Sequence, residues 1–228
     1  MFLRPSWLLT ALQTTYSPPD GDLDIVYQDE SLLVVNKPSG LLSVPGRGLD
    51  KADNLTTRTQ QRFPDTLSVH RLDMPTSGLL LLARGKEMHN RLSQLFREGN
   101  VKKFYIAIIT GRIEPGTDII DLPLGPDWPN RPRQKVDFDN GKSSQTRYRV
   151  LEYDEVTNTS RIELEPLTGR THQLRVHMAA IGHPIVGDGL YGGKSGLYAH
   201  RLLLHANMLN FIHPFSAEPL TLFSEAPF

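Results

Sequence analysis

The stretch His70-Arg71-Leu72-Asp73-Met74-Pro75-Thr76-Ser77-Gly78, followed directly by Leu79-Leu80-Leu81-Leu82-Ala83, decides how the chain is read. The apolar run reads as a buried strand, and Pro75 and Gly78 are breakers that bound a loop before it. Leu67-Ser68-Val69 reads as a strand running into the loop from the other side. Within four residues the loop carries a histidine, an arginine and a carboxylate. A carboxylate on a loop held by rigid strands is well placed for chemistry. An aspartate beside Pro and Ser can equally do no more than close the turn.

Working outward, Ile25-Val26-Tyr27 and Leu32-Leu33-Val34-Val35 read as two short strands around the turn Gln28–Ser31. Residues Lys51 to Arg62 are polar and read as helical. In Lys86 to Glu98, residues Met88, Leu92, Leu95 and Phe96 fall on one face of an amphipathic helix, and Gly99-Asn100 stops it. Lys103 to Ile109 reads as a strand with Phe104, Ile106 and Ile108 on one face and Tyr105, Ala107 and Ile109 on the other. Glu114 to Arg133 is rich in Gly and Pro and reads mostly as loop. Arg147 to Tyr153 and Ser160 to Glu165 alternate as paired strands. Thr171 is the expected N-cap of a helix whose face is Leu174, Met178 and Ile181, closed by Gly182. Arg201 to Ala206 reads as a buried strand, with Met208 to Ile212 after it and Leu220 to Phe223 as a last short one. Strands outnumber helices without regular alternation, which argues an α+β fold with a largely antiparallel or mixed sheet.

The 228 residues suffice for a sizeable core, and 22% charged residues suit a globular protein. The chain has no cysteine, which excludes disulfides, thiolate metal sites and cysteine nucleophiles and suits a reducing cytoplasm. The opening MFLRPSWLLTALQ is interrupted by Pro5 and does not read as a signal peptide, and no run approaches a membrane span. With 25 basic and 25 acidic residues the formal charge is zero, which counts mildly against nucleic-acid binding. Local patches set the field a ligand feels, however, and Arg131, Arg133 and Lys135 form one with no acid among them. That cluster can also be a solvated loop. His172 and Arg175, three apart, share a helix face, whereas His172 and His177 do not, so a metal pair is not expected. Tyr105 follows Lys102-Lys103 and can stack on a nucleobase or simply pack in a sheet. Arg175 can hold a carboxylate in a bidentate pair or belong to an ordinary surface ion pair.

HRLDMPTSG resembles the HRLDxxTSG signature of the RluA family of pseudouridine synthases. NKPSGLLSVPG, LTGRTHQLRVHM and GHPIVGDGLYG are similar, in the right order, to that family's NKPxGxxS, GRxHQxRxH and GHPxxGDxxYG segments. RLLLHA and His213-Pro214 fit its C-terminal pattern. The resemblance runs from about residue 23 to the end. It implies the pseudouridine synthase fold, a long bent mixed sheet, mostly antiparallel, with flanking helices and a central active-site cleft. Residues 1–20 would be an N-terminal extension and 21–228 the catalytic domain, with no S4-type domain before it.

Carried over by position, the resemblance makes Asp73 the catalytic aspartate, Tyr105 the base-stacking tyrosine and Arg175 the aspartate's partner. Arg71 would enter the RNA stack when the uridine leaves it, and Lys102, Lys103, Arg131, Arg133, Lys135 and His172 would contact RNA. The implied reaction isomerises uridine to pseudouridine in structured RNA with neither metal nor cofactor, in a cytoplasmic monomer. Asp121 to Val136 is similar to the family's dual-specificity member, which acts on a tRNA anticodon stem-loop and a 23S rRNA hairpin. Two rivals remain. A hydrolase of the N-glycosylase type would need a second carboxylate, for which Asp188 is the candidate. A non-catalytic RNA-binding module would keep the fold without turnover.

Overall fold

A computed structural model describes residues 16–48, 51–114, 116–194 and 198–228. Most of the expected N-terminal extension, and the segment weighed as a signal peptide, lie outside the described residues. Tyr16, within that extension, is hydrogen-bonded to the body: its hydroxyl donates to the Asp53 carbonyl and accepts from the Leu42 N–H, both at 3.0 Å. Among the described residues no helix is long and apolar enough to cross a membrane.

Strands β1 (Ile25–Gln28) and β2 (Leu32–Lys37) form a hairpin whose turn is fixed by Asp29. The Asp29 carboxylate accepts from the N–H groups of Ser31 and Leu32 at 2.7 and 2.8 Å. Helix α1 (Leu55–Arg62) starts later than its polar sequence suggests. The Asn54 side chain caps it by accepting from the Thr57 N–H at 3.0 Å. Strands β3 (Thr66–Ser68) and β4 (Ser77–Arg84) flank the opening motif. Leu79 through Ala83 have no solvent exposure because both faces of β4 are covered. Leu80 and Leu82 join Leu33, Val35 and Leu164 in one core, while Leu79, Leu81 and Ala83 join Val34, Met88 and Leu92 in a second. Met88 and Leu92 come from α2 (Gly85–Glu98), which ends at Gly99 with φ 74°, as expected.

Strand β5 (Lys102–Thr110) has the expected alternation, with Tyr105, Ala107 and Ile109 in the first core. Residues 114–133 are not loop throughout: they contain β6 (Thr117–Asp121) and β7 (Leu124–Pro126). Strand β7 pairs with β8 (Gln134–Val136) in a two-stranded ribbon outside the main sheet. Strands β9 (Gln145–Asp154) and β10 (Thr159–Pro166) pair antiparallel as their alternation predicts. Helix α3 (Gln173–Ala180) follows, and then β11 (Leu204–Ile212) and β12 (Pro219–Phe223). Arg201 to Leu203 lie before β11 rather than in it, and the two strands expected on either side of Asn207 are one.

The main sheet has ten strands, with the path β1-β2-β4-β11-β5-β10-β9-β6, β12 attached to β11 and β3 to β4. Among its described pairings one is parallel, the contact of β4 with β11, and it consists of two register pairs, Ser77 with His205 and Gly78 with Ala206. Past Ala206, β11 pairs with β12. Gly78 has φ 110°, and a Cβ there would lie 2.3 Å from the Ala206 carbonyl oxygen. Both the conformation and the approach require glycine. Gly78→Ala is expected to destabilise the protein by about 3 kcal/mol or more, since it adds left-handed strain to a backbone clash. Urea denaturation measures this, and a loss under about 1 kcal/mol would mean the seam can open without cost.

Candidate active site

A cleft of about 690 Å³ is lined by the β3–β4 loop, the near end of β5 and the segment that leads into α3. It gathers Arg71, Asp73, Lys103, Tyr105, His172 and Arg175, six of the ten site residues expected from the sequence. Its wall carries Arg71, Arg97, Lys103, Arg170 and Arg175 against the carboxylates Asp73 and Glu98. The cleft is therefore locally cationic in a chain whose formal charge is zero.

The Asp73 loop is tied down on both sides of the aspartate. Ser43 Oγ accepts from the Leu72 N–H at 3.1 Å and donates to the Leu72 carbonyl at 2.8 Å. Lys37, with no solvent exposure, donates from Nζ to the carbonyls of Pro38, Leu41 and Met74 at 2.9, 2.7 and 3.1 Å. Burial pulls the Lys37 ammonium down to about 7, against the attraction of Asp73. Behind the loop, Arg201 donates to Ser77 Oγ, which leaves the serine proton for His205 Nδ1 at 2.8 Å. His205 Nε2 then reaches Ser224 Oγ at 3.1 Å. Burial pushes His205 down to about 4, so the ring is neutral in this chain of bonds.

Arg175 and Asp188 form the electrostatic centre. Arg175 Nε and Nη2 each donate at 2.7 Å to the two oxygens of Asp188, and the residues are 3% and 1% exposed. The remaining nitrogen, Nη1, donates to Asp73 Oδ2 at 3.2 Å. The expected Arg175–Asp73 contact is present, but the bidentate partner is Asp188. Asp188 Oδ1 also accepts from the N–H groups of Leu190 and Tyr191 at 2.9 and 3.1 Å. Burial alone would raise Asp188; the bonds and charge of Arg175 outweigh it and hold the carboxyl below its usual range. Both oxygens of Asp188 are committed, so it is not the free second acid that a hydrolase needs.

Tyr105 stands on the central strand between β11 and β10, paired with Ala206 and Leu164. Burial and the nearby Asp73 charge raise its hydroxyl far above the usual phenol range. In the same cleft lining, His70 stacks on Phe96 with centroids 4.5 Å apart, and His70 Nε2 accepts from the Leu81 N–H at 2.9 Å. Burial, aided by Lys103, takes His70 down to about 3. Lys103 lies over the Phe96 ring, and burial lowers its ammonium too. Lys102 is exposed at the start of β5, outside the cleft lining.

Thr171 does not cap α3. The N-cap residue is His172, with φ 55° and no side-chain capping bond. Gln173 organises the turn instead: its Oε1 accepts from the Arg170 N–H and Thr168 Oγ1, and its Nε2 donates to the Gln145 carbonyl and Thr146 Oγ1. Residues 173–178 are all buried, so the helix is covered on every side rather than on one face. His177 bonds Thr146 Oγ1 and the Leu122 carbonyl as a packed, hydrogen-bonded residue. His172 Nδ1 meets Tyr191 Oη at 2.7 Å, and its Nε2 lies 3.8 Å from Asp73 Oδ2.

The cation cluster sits on the β7–β8 ribbon, outside the cleft lining. Arg131 stacks on Trp128 at 3.7 Å, Lys135 lies 3.5 Å from Asp137, and Arg133 is exposed. The ribbon is tied toward the cleft by the Gln134 N–H, which donates to Tyr191 Oη at 2.8 Å. Lys37 and Tyr191 were not singled out from the sequence; both lie inside motifs quoted for the resemblance, which is the signal that points to them.

Comparison with known proteins agrees with this architecture. Residues 31–180 match the family model described as RNA pseudouridylate synthase. The chain belongs to the RNA pseudouridylate synthase family, enzymes that isomerise uridine to pseudouridine in RNA. It is 50% identical over 215 residues to the dual-specificity RNA pseudouridine synthase RluA of Escherichia coli (strain K12), covering 93% of this chain and 98% of that one. The protein of the same description from Vibrio cholerae is 48% identical, covering 94% and 88%. Among solved structures, human RNA pseudouridylate synthase domain containing 1 superposes with a TM-score of 0.76 at 33% identity, covering 93% of this chain and 87% of that chain.

The buried pair gives a direct test. Asp188→Asn leaves Arg175 charged without its partner and is expected to cost about 3–5 kcal/mol. Arg175→Met should cost a similar amount. The double replacement Arg175→Met with Asp188→Asn should cost much less than the sum, by at least about 2 kcal/mol. Urea unfolding of the four proteins measures the coupling, and additive losses would show that the two side chains act independently.

Proposed function

We propose that the cleft performs site-specific isomerisation of uridine in folded RNA, with Asp73 as the group that starts the chemistry. One observation carries this reading: the Asp73 carboxylate, anchored through Leu72 and Met74, meets the free nitrogen of an arginine otherwise locked to Asp188, in a cationic cleft that Tyr105 also lines. Either route open to an aspartate, attack on C1′ or removal of a ribose proton, needs it ionised and aimed. Arg175 favours the ionised form and fixes its direction. The N1–C1′ bond breaks, the base turns in the pocket, and C5 joins C1′, so the product has the mass of the substrate.

A uridine inside a stem-loop must leave the stack, at a cost of a few kcal/mol. Tyr105 receives the flipped base, and such stacking is worth about 1–3 kcal/mol. Arg71, exposed at the cleft rim, fills the vacated place in the RNA. Lys103 and His172 meet the RNA within the cleft. Lys102 and the ribbon cations Arg131, Arg133 and Lys135 meet phosphates outside it. The substrates are both a tRNA anticodon stem-loop and a 23S rRNA hairpin. The dual-specificity description of the E. coli relative supports this, as does the similarity across Asp121 to Val136. The protein acts as a monomer in the cytoplasm, without metal or organic cofactor, in a catalytic domain over residues 21–228.

Two measurements test the reading. Asp73→Asn should fold and bind RNA, but its release of tritium from RNA labelled at C5 of uridine should fall by at least about a thousandfold. Appreciable release would remove Asp73 from the chemistry. Replacing Arg131, Arg133 and Lys135 with Gln should lower the slope of log affinity against log salt by about two. An unchanged slope would place the RNA path away from the ribbon.

A further inference from the structure

Resting on that reading, we infer that His172 is held as a neutral imidazole whose Nε2–H is aimed at the reacting base, and that Tyr191 and the backbone of the β7–β8 ribbon set this tautomer. One chain of hydrogen bonds sets the tautomer. The Gln134 N–H has a single hydrogen, and it donates to Tyr191 Oη at 2.8 Å. Burial raises the Tyr191 hydroxyl above the phenol range, so it keeps its proton. That proton points to the other near partner, His172 Nδ1, at 2.7 Å. An imidazole that accepts at Nδ1 carries its hydrogen on Nε2.

The other end of the ring is poised and unspent. His172 Nε2 is 3.8 Å from Asp73 Oδ2, too far for a hydrogen bond, so its hydrogen is free for a group placed between them in the cleft. The groups around the ring are Asp73, Arg175, Asp188, Arg71 and Tyr191, two acids and two arginines beside the phenol. Their charges largely offset one another, and burial, the largest influence, lowers the imidazole from its usual value. His172 also stands at φ 55°, a left-handed conformation unusual outside glycine, with no capping bond to account for it. Backbone held in this region clusters at functional sites.

The chemistry identifies what the donor serves. When N1–C1′ breaks, its electron pair stays with uracil as an anion spread over N1, O2 and O4. C5 then bonds to C1′, loses its proton, and N1 gains one, so atoms and charge balance over the reaction. His172 forms no covalent bond and keeps its proton. Its Nε2–H supplies a fixed hydrogen bond to a uracil oxygen as the negative charge develops, and loss of one such donor typically slows a reaction about 10²–10³-fold. Tyr191 is then a positioning residue, and the ribbon that carries Arg131 and Arg133 is coupled to the cleft through Gln134.

The test has a spectroscopic and a kinetic part. In protein with 15N-labelled histidine, His172 should show protonated Nε2 and unprotonated Nδ1 from pH 6.5 to 8, its signals assigned by their loss in His172→Gln. Tyr191→Phe should give a mixture of tautomers. The kinetic probe is total RNA tritiated at C5 of uridine, from cells lacking the gene, under single turnover with enzyme in excess. His172→Phe should lose about 10²–10³-fold in saturated rate while its RNA dissociation constant stays within about threefold. His172→Gln, whose amide offers an N–H near the same place, should recover most of that loss. An Nδ1–H tautomer, an imidazolium at pH 7, an unaffected His172→Phe rate, or a loss confined to RNA binding would each overturn the inference. Wild-type protein that releases no tritium would overturn the underlying reading, whereas wild-type release with a fully active His172→Phe would overturn only this role.

Discussion

The close approach of β4 to β11 at Gly78 is the constraint on which the rest of the structure depends. Two residue pairs make the seam, and the missing Cβ of Gly78 lets the backbones meet. On one side of it the sheet runs out through β2 to β1, and on the other through β5 and β10 to β9 and β6. The strand that enters the seam is the one that leaves the Asp73 loop, so the narrowest join of the fold is also where the carboxylate is aimed. The Arg201–Ser77–His205–Ser224 bonds brace the seam from behind, and Lys37 braces the loop from beneath.

The electrostatics of the site follow from burial as much as from charge. Arg175 is held by two strong bonds to Asp188, so the fraction of its charge facing Asp73 is delivered in a fixed direction through one nitrogen. An exposed arginine could give the same attraction only by losing side-chain freedom on every encounter. The neutral histidines His70 and His205, both pushed far down by burial, add structure around the cleft without adding charge. The net charge of the chain says little about this arrangement, because the cations of the cleft wall are balanced by acids elsewhere.

Much of the scaffold was legible in the sequence. Leu79 to Ala83, the alternation around Tyr105 and the helical spacing of Met88 and Leu92 each state their burial directly. What escaped the reading did so for physical reasons. In β6 the pattern of hidden residues reduces to Ile120, since an edge strand with Asp118 and Asp121 exposed buries too little to show a period. Helix α3 is legible from its Leu174 and Met178 face, but the burial of all of residues 173–178 is not, and its start is set by the left-handed His172, which no capping rule anticipates. The motif resemblance named Asp73, Tyr105 and Arg175, and the structure gathers them in one cleft. It did not show that the fork of Arg175 is occupied by Asp188, because an acid thirteen residues away in a glycine-rich loop carries no mark of burial. Lys37 is hidden for the same reason: a lysine after a strand reads as solvated until the three carbonyls around it are seen.

The β7–β8 ribbon has a consequence for how such an enzyme can diverge. Its two strands pair with each other and contribute no rung to the ten-stranded sheet. Tyr105, by contrast, sits on a strand bonded on both sides, and Arg175 on a helix enclosed on every side. Drift in the sheet or the helix is penalised by the fold itself. The ribbon can be lengthened, recharged or rebuilt at little thermodynamic risk, provided the backbone N–H at Gln134 still reaches Tyr191. On the proposed reading of the ribbon as an RNA contact, innovation is channelled into this appendage, and a lineage can acquire or shed RNA targets while inheriting its chemistry unaltered.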